Sequence, residues 1–147
     1  MPREFKTVLC PLDFSSESSR ALAYALRFAE QSGGKLLLAH IVHVPSGELY
    51  EAGGHVLTFD EAKSRALTRM RDLRHQQLGD YANCELLTDI GDPAEQTLSV
   101  ARQRDVDLIV LSTHGHSSAD HILVGSVAEA IIRNAPCPVF IVRRGAE

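Results

Sequence analysis

Apolar residues along the chain alternate between short continuous runs and stretches with helical spacing. The short runs are rich in Val, Leu and Ile, which predicts strands that are buried on both faces. Between them, apolar side chains recur every three or four positions, as on the inner face of an amphipathic helix. The pattern therefore predicts the order β-α-β-α-β-α-β-α-β. The five predicted strands cover residues 6–10, 36–44, 84–90, 107–112 and 139–142.

Local signals place the ends of the predicted helices. Helix-start signals precede the first, third and fourth apolar stripes, and glycine or proline follows the first, second and fourth. Residues 45–58 show little periodicity and predict a long loop. The boundary residues are Ser15 to Glu17 and Gly33-Gly34 for the first helix, Gly79 after the second, Asp92-Pro93 before the third, and Gly125-Ser126 and Pro136 around the fourth. The inner face of the third helix consists of Ala94, Thr97, Leu98 and Ala101.

The alternation of strands and helices predicts an α/β fold with a mostly parallel sheet and helices on both of its faces. Right-handed crossovers then give a doubly wound, open, five-stranded sheet, for which we expect the order 3-2-1-4-5. The 147 residues contain no linker that would split them, so we expect one domain over 1–147.

In such a sheet, ligands bind beyond the carboxyl ends of the strands, where the winding reverses. Strands 1 and 4 lie side by side at that point, so residues 11–15 and 112–115 should flank the crevice. The second segment leads to Gly125-Ser126 at a helix N-terminus. Unpaired N–H groups and the positive end of the helix dipole make such a terminus a candidate anion site.

Two side chains in these segments each have two interpretations. Ser126 could donate its hydroxyl to a phosphate oxygen, or it could cap its helix in a capping box with Glu129. Asp13 could accept hydrogen bonds from a ribose diol, or it could form an Asx-turn that leads into the helix beginning near Ser16. The two roles can coexist, and the spacing leaves both alternatives open.

Composition and charge narrow the choice of partner. The formal net charge of −4 and a pI of about 6.0 lack the basic footprint of a nucleic-acid-binding protein. Three cysteines without a CxxC motif argue against a disulfide framework, and we expect a reducing cytoplasm. No apolar stretch approaches the roughly 18–20 residues of a membrane span. We therefore expect a soluble cytoplasmic protein that neither binds nucleic acid nor enters a membrane.

Motifs for several other chemistries are absent from the sequence. Gly33-Gly34-Lys35 lacks the rest of a P-loop, and no GxGxxG, HExxH or GxSxG occurs. The histidines and the aspartate near the fourth strand suit Zn²⁺ or Mn²⁺ by ligand type but lack zinc-site spacing, so we expect exposed polar residues. This group consists of His114, His116, Asp120 and His121. We expect His40 and His43 to be packed or hydrogen-bonded rather than catalytic, and the cysteines to fill the core.

Five segments together resemble the universal stress protein family, and the resemblance covers essentially the whole chain. The segments are residues 8–15 (VLCPLDFS), 38–42 (LAHIV), 107–115 (DLIVLSTHG), 124–129 (VGSVAE) and 134–139 (NAPCPV). The resemblance implies an adenine-nucleotide alpha-hydrolase-like fold with strand order 3-2-1-4-5. It also implies a homodimer formed through residues 138–142, and ATP, ADP or AMP as a possible ligand.

The ATP-binding branch of the family carries the pattern Gly, two residues, Gly, nine residues, Gly and Ser or Thr. Here Gly115, nine residues and Gly125-Ser126 fit, but Ser112 stands at the first glycine. By this resemblance Asp13 would hold the ribose, and the backbone around Ile41 would meet adenine. The other residues implied in binding are Pro11 and Leu12 at the base and ribose, Ser112 and Thr113 in the loop, and Gly115, Gly125, Ser126 and Val127 at the phosphates.

Departures from the family pattern affect the phosphate end of this site. Ser112 requires a negative φ or some strain. His116 replaces an arginine of many relatives, so a fixed positive charge is missing, and Asp120 adds a negative one. We hypothesise that backbone N–H groups and Mg²⁺ or Mn²⁺ bind the phosphates.

These features predict a dimeric regulatory protein of the stress response that binds an adenine nucleotide and has no catalytic residues. One alternative is a family member that binds no nucleotide and acts through protein contacts. The other is a slow ATP hydrolase in which Asp120 or His116 orients a water molecule.

Overall fold

The structure is a computed structural model, and it describes residues 4–44, 49–50, 56–114 and 124–143. The described residues form a five-stranded sheet, a separate two-stranded pair and four helices. In chain order the elements are β1 (Thr7–Pro11), α1 (Ser16–Ser32), β2 (Lys35–Val42), β3 (Leu49–Tyr50), β4 (Val56–Leu57), α2 (Phe59–Leu78), β5 (Cys84–Ile90), α3 (Pro93–Gln103), β6 (Leu108–Ser112), α4 (Ser126–Asn134) and β7 (Val139–Val142).

The large sheet is parallel throughout, with the strand order β5-β2-β1-β6-β7. Counted along the chain within this sheet, the order is 3-2-1-4-5, which confirms the α/β fold expected from the sequence. β1 pairs with β2 on one side, with Val8 opposite Leu36, and with β6 on the other, with Val8 opposite Leu108. The winding reverses between β1 and β6, so a crevice is expected beyond their carboxyl ends.

The prediction of a continuous loop over residues 45–58 is wrong in part. Residues 49–50 and 56–57 pair as the antiparallel strands β3 and β4. Two-residue strands are held by backbone hydrogen bonds and are too short to show an alternating pattern in the sequence. Residues 45–48 and 51–55 lie outside the described part of the chain.

The core lies in two layers because successive side chains of a strand point to opposite faces of the sheet. One face packs against α1 and α2 and includes Val8, Leu36 and Leu38. The other packs against α3 and α4 and includes Leu37 and Ile109. Burial on both faces explains why the central strands are continuous apolar runs. Cys10 is completely buried in the first layer, whereas Cys84 and Cys137 are only half-buried. The prediction that the cysteines fill the core is therefore confirmed in full for Cys10.

Candidate functional site

A cavity of about 450 Å³ opens at the carboxyl ends of β1, β2 and β6. This volume lies within the range typical of small-molecule sites. Every predicted site residue in the described part of the chain lines it, and Gly115 lies outside that part. These lining residues are Pro11, Leu12, Asp13, Ile41, Ser112, Thr113, Gly125, Ser126 and Val127. The structure therefore brings the loop after β1 together with the loop after β6 and the start of α4, which lie about 100 residues further along the chain.

The cavity also has lining residues that the sequence reasoning did not assign to it. They come from β2, from the start of α3 and from the end of β6, and they include His40, His43, Asp92, Pro93, Thr97 and His114. α3 follows β5 in the chain but packs across β2, so its first turns reach the cavity. Helical spacing placed Thr97 on the inner face of α3, but spacing does not show that this face meets a cavity.

The N-terminus of α4 forms the part of the wall nearest β6. Gly125 is the N-cap, with φ −70° and ψ 161°, and its N–H donates to the Thr113 carbonyl oxygen at 2.6 Å. Of the two interpretations of Ser126, the capping box with Glu129 is wrong, because Ser126 is already the first helical residue. The Glu129 carboxylate instead pairs with Arg133, with an Nη2–Oε1 distance of 2.9 Å. Gly125 therefore supplies the turn, but its N–H is already engaged by the protein.

α4 differs from the other described helices in how its first turn is capped. Side chains cap α1, α2 and α3: Ser15 accepts from Ser18 N–H, Thr58 from Glu61 N–H, and Asp92 from Glu95 N–H. At α4 no side chain of the described residues caps the helix, and the N–H groups of residues 126–128 find no acceptor among them. These donors, together with the positive end of the helix dipole, lie at the cavity wall.

Asp13 forms the Asx-turn that was one of its two interpretations. Its Oδ1 accepts hydrogen bonds from the Ser15 N–H at 2.9 Å and from the Ser15 hydroxyl at 2.5 Å. The Ser15 oxygen in turn accepts from Ser18 N–H at 3.1 Å, so Asp13 supports the cap of α1 indirectly. A carboxylate can accept about four hydrogen bonds, so the turn leaves capacity for a ligand. Asp13 also lines the cavity, which is compatible with its second interpretation.

Phe14 connects this turn to β2 and α2. Its φ of 65° is unusual for a bulky side chain and places local strain beside the cavity. The Phe14 ring lies 4.5 Å from the His40 ring, and the Arg69 guanidinium lies 4.0 Å from the Phe14 centroid. Contacts with both neighbours therefore hold the strained residue in place.

His40 is hydrogen-bonded and packed, which confirms the expectation for this residue. Its Nδ1 lies 2.7 Å from the Leu12 carbonyl oxygen, and since a carbonyl only accepts, Nδ1 carries the proton. Burial lowers the pKa of His40, and the charge of Arg69 lowers it further, although the Leu12 hydrogen bond and Asp13 oppose this. The imidazole is therefore neutral near pH 7, with Nε2 as an acceptor.

The loop after β6 explains how Ser112 is accommodated where the family pattern has glycine. Ser112 has a negative φ, since the positive-φ residues other than glycine in the described chain are Phe14 and Asp105. Its hydroxyl donates to the His114 carbonyl oxygen at 2.9 Å, and Thr113 Oγ1 lies 2.9 Å from His114 Nδ1. The serine side chain thus takes part in the internal hydrogen bonds of this loop.

Within the described ranges, no group of three or more His, Cys, Asp or Glu side chains is arranged to hold a metal ion. The expectation of an exposed residue is wrong for His114, which is buried, 6% exposed, with its Nδ1 2.9 Å from Thr113 Oγ1. His116, Asp120 and His121 lie outside the described ranges, so the expectation for these three stays a prediction. No described helix is long and apolar enough to cross a bilayer.

Comparison with known proteins gives a consistent family assignment. The sequence model of the universal stress protein family matches residues 4–143. The universal stress protein in the QAH/OAS sulfhydrylase 3′ region of Thermus aquaticus is 33% identical over 141 residues, which cover 95% of this chain and 99% of that protein. The match therefore extends over nearly the full length of both proteins.

Two solved structures share the fold. A universal stress protein in complex with cAMP superimposes with a TM-score of 0.71 at 22% identity, covering 96% of this chain and 98% of that one. The Archaeoglobus fulgidus universal stress protein in complex with dAMP gives a TM-score of 0.63 at 21% identity, covering 95% and 98%. The family match over residues 4–143, the strand order and the full-length relative lead to one conclusion: this chain belongs to the universal stress protein family.

Proposed function

We propose that the cavity binds an adenine nucleotide, ATP, ADP or AMP, and that the protein acts as a homodimeric regulator of the stress response. The uncapped N-terminus of α4 at the cavity wall is the observation that carries this proposal. Three consecutive N–H donors at a helix N-terminus suit a phosphate group. The cysteines form no disulfide among the described residues, which fits a reducing cytoplasm as the location.

The other cavity walls suit the rest of such a nucleotide. Asp13 would accept from the ribose hydroxyls, and the backbone near Ile41 would lie against the base. Two family members of the same fold are complexes with cAMP and dAMP, both adenine nucleotides, which supports the same ligand class here. Gly125 would let the ligand lie close to the backbone, while the N–H donors would come from Ser126, Val127 and Ala128.

The charges along the cavity favour a divalent cation beside ATP. The described lining residues include Asp13 and Asp92 but no lysine or arginine. A triphosphate there would face the helix end and two carboxylates, so Mg²⁺ or Mn²⁺ would supply the missing positive charge. ATP affinity should therefore fall when divalent cations are removed, and unchanged affinity would contradict the role of the cation.

The dimer would form at the edge strand β7. In the described chain β7 pairs only with β6, and its apolar residues Val139, Phe140 and Ile141 are half-buried. An open apolar edge favours pairing with another strand, and β7 of a second copy in antiparallel orientation would satisfy it. Sedimentation at micromolar concentration should give a dimer, and a monomer would overturn this part of the proposal.

A proline scan of helix starts tests the phosphate site without disturbing the helix. Proline is favoured at the first helical position, and Gly125 already has the extended ψ that a following proline requires. Ser126→Pro removes one N–H and the hydroxyl, whereas Ser126→Ala removes the hydroxyl alone. Phe59→Pro is the matched control, because Phe59 opens α2 away from the cavity after an equally extended Thr58.

Calorimetric titration with ATP and AMP should show weaker binding for Ser126→Pro and unchanged binding for Phe59→Pro. Mass spectrometry of ligand released from freshly purified protein should detect an adenine nucleotide. A protein that carries no nucleotide and binds none at millimolar concentration would contradict the proposal and favour action through protein contacts alone.

A further inference from the structure

Thr97 is a buried polar residue whose hydroxyl has no partner. It lies in the second turn of α3, is 1% exposed and lines the cavity. None of the hydrogen bonds among the described residues involves its hydroxyl, whereas the buried Thr113 hydroxyl is bonded to His114. Among the described residues, the fully buried side-chain atoms without a partner are Gln77 Oε1 and Thr88 Oγ1, so the Thr97 hydroxyl is instead open to the cavity, where it can bond water or a ligand. An unpaired hydroxyl at a cavity wall therefore points to a partner that comes from outside the chain.

The surroundings of Thr97 identify the part of the ligand that it would meet. α3 packs across β2 on the sheet face that carries Ala39. Ile41 lies two residues further along the same strand and therefore faces the same side. The lining in this region includes the apolar residues Ala39, Ile41 and Pro93 together with the Thr97 hydroxyl, and Asp92 and His43 also line the cavity. Apolar walls with a few polar groups suit a flat heteroaromatic ring that needs orientation.

We propose that the Thr97 hydroxyl hydrogen-bonds the edge of the purine base and orients the base in the cavity. The inference rests on the proposed nucleotide-binding function and adds a recognition residue to it. A hydroxyl can donate to a ring nitrogen of the base or accept from an exocyclic amino group. The phosphate donors lie on α4, so the base contact from α3 fixes the opposite end of the same ligand.

Two substitutions at this position separate the hydroxyl from the shape of the side chain. Thr97→Val keeps the β-branched shape and removes the hydroxyl, and Thr97→Ser keeps the hydroxyl. Thr88→Val is the matched control, since the Thr88 hydroxyl has no partner but lies on β5 outside the cavity lining. Thermal unfolding without ligand should show Thr88→Val at least as stable as the wild type, because it loses a buried unpaired hydroxyl, and Thr97→Val close to the wild type, because its hydroxyl is open to the cavity.

Calorimetric titration with ATP then tests the role of Thr97. Thr97→Val should weaken binding by about tenfold, the effect of one lost hydrogen bond, while Thr97→Ser and Thr88→Val bind like the wild type. Wild-type affinity in Thr97→Val, or weakening of the same size in Thr97→Ser or Thr88→Val, would overturn the role of Thr97 alone. If the wild type binds no nucleotide, the proposed function itself fails.

Discussion

Replacing Asp13 separates its two roles, the turn before α1 and the proposed contact with ribose. In Asp13→Ala both hydrogen bonds to Ser15 are lost, and with them the support of the α1 cap. Hydrogen bonds to a charged group contribute about 1.5–3 kcal/mol each when buried. Asp13 is only half-buried and water replaces part of the loss, so we expect the free energy of unfolding to fall by about 1–2 kcal/mol.

Asp13→Asn keeps an oxygen that can accept from Ser15 but removes the charge. We expect its free energy of unfolding to fall by less than about 1 kcal/mol, as measured by urea unfolding. Its affinity for ATP should nevertheless fall about tenfold, because a charged acceptor is replaced by a neutral one at the ribose. The asparagine variant therefore isolates the binding role from the structural one.

A second ligand completes a double-mutant cycle. 2′,3′-Dideoxy-ATP lacks the ribose hydroxyls, so it should bind the wild type and Asp13→Asn with equal affinity. If Asp13→Asn weakens the dideoxy nucleotide as much as ATP, or leaves both unchanged, Asp13 does not bind the ribose. In that case the carboxylate serves only the Asx-turn.

Three further variants test other parts of the structure. Because burial lowers the pKa of His40 below its ordinary 6.5, the unfolded chain binds a proton more readily, and stability should fall as the pH drops through 6.5. His40→Asn can keep a donor to Leu12 but does not titrate, so its unfolding free energy should depend less on pH, and an equal dependence would contradict this. Asp107→Ala removes the carboxylate that accepts from the N–H groups of Lys6 and Thr7, so urea unfolding should show a free energy of unfolding lower by about 2–4 kcal/mol. A decrease of less than about 1 kcal/mol would show that this contact contributes little to stability. Ile141→Arg places a charge on the β7 edge and should shift sedimentation from dimer to monomer, whereas a persistent dimer would place the interface elsewhere.

The sheet could be predicted from the sequence because its central strands differ from the rest of the chain in their pattern of apolar residues. The runs that form β1, β2 and β6 are continuously apolar since both faces of these strands are buried. With the alternating helices and the right-handed crossover, this leaves few topologies, and the observed order was among them. β3 and β4 are each two residues long and have no comparable signal.

The cavity could be predicted only where it follows from that topology. The two loops at the winding reversal were expected, and residues 11–13 and 112–114 of these loops line the cavity. The spacing of Ser126 and Glu129 matches a capping box, but Gly125, with extended φ and ψ, takes the N-cap position, and its N–H donates to the Thr113 carbonyl oxygen. Likewise, the positive φ of Phe14 is unusual for a phenylalanine, so sequence preferences argued against it.

The amide signals at the start of α4 test the central claim most directly. In a ¹H–¹⁵N NMR titration with AMP, a phosphate bound at this helix end should shift the amide resonances of Ser126, Val127 and Ala128 strongly. Those of the matched start of α2 (Phe59, Asp60) should stay in place, because that helix is capped by Thr58. Unchanged signals at Ser126, Val127 and Ala128 at saturating AMP would contradict nucleotide binding at this site.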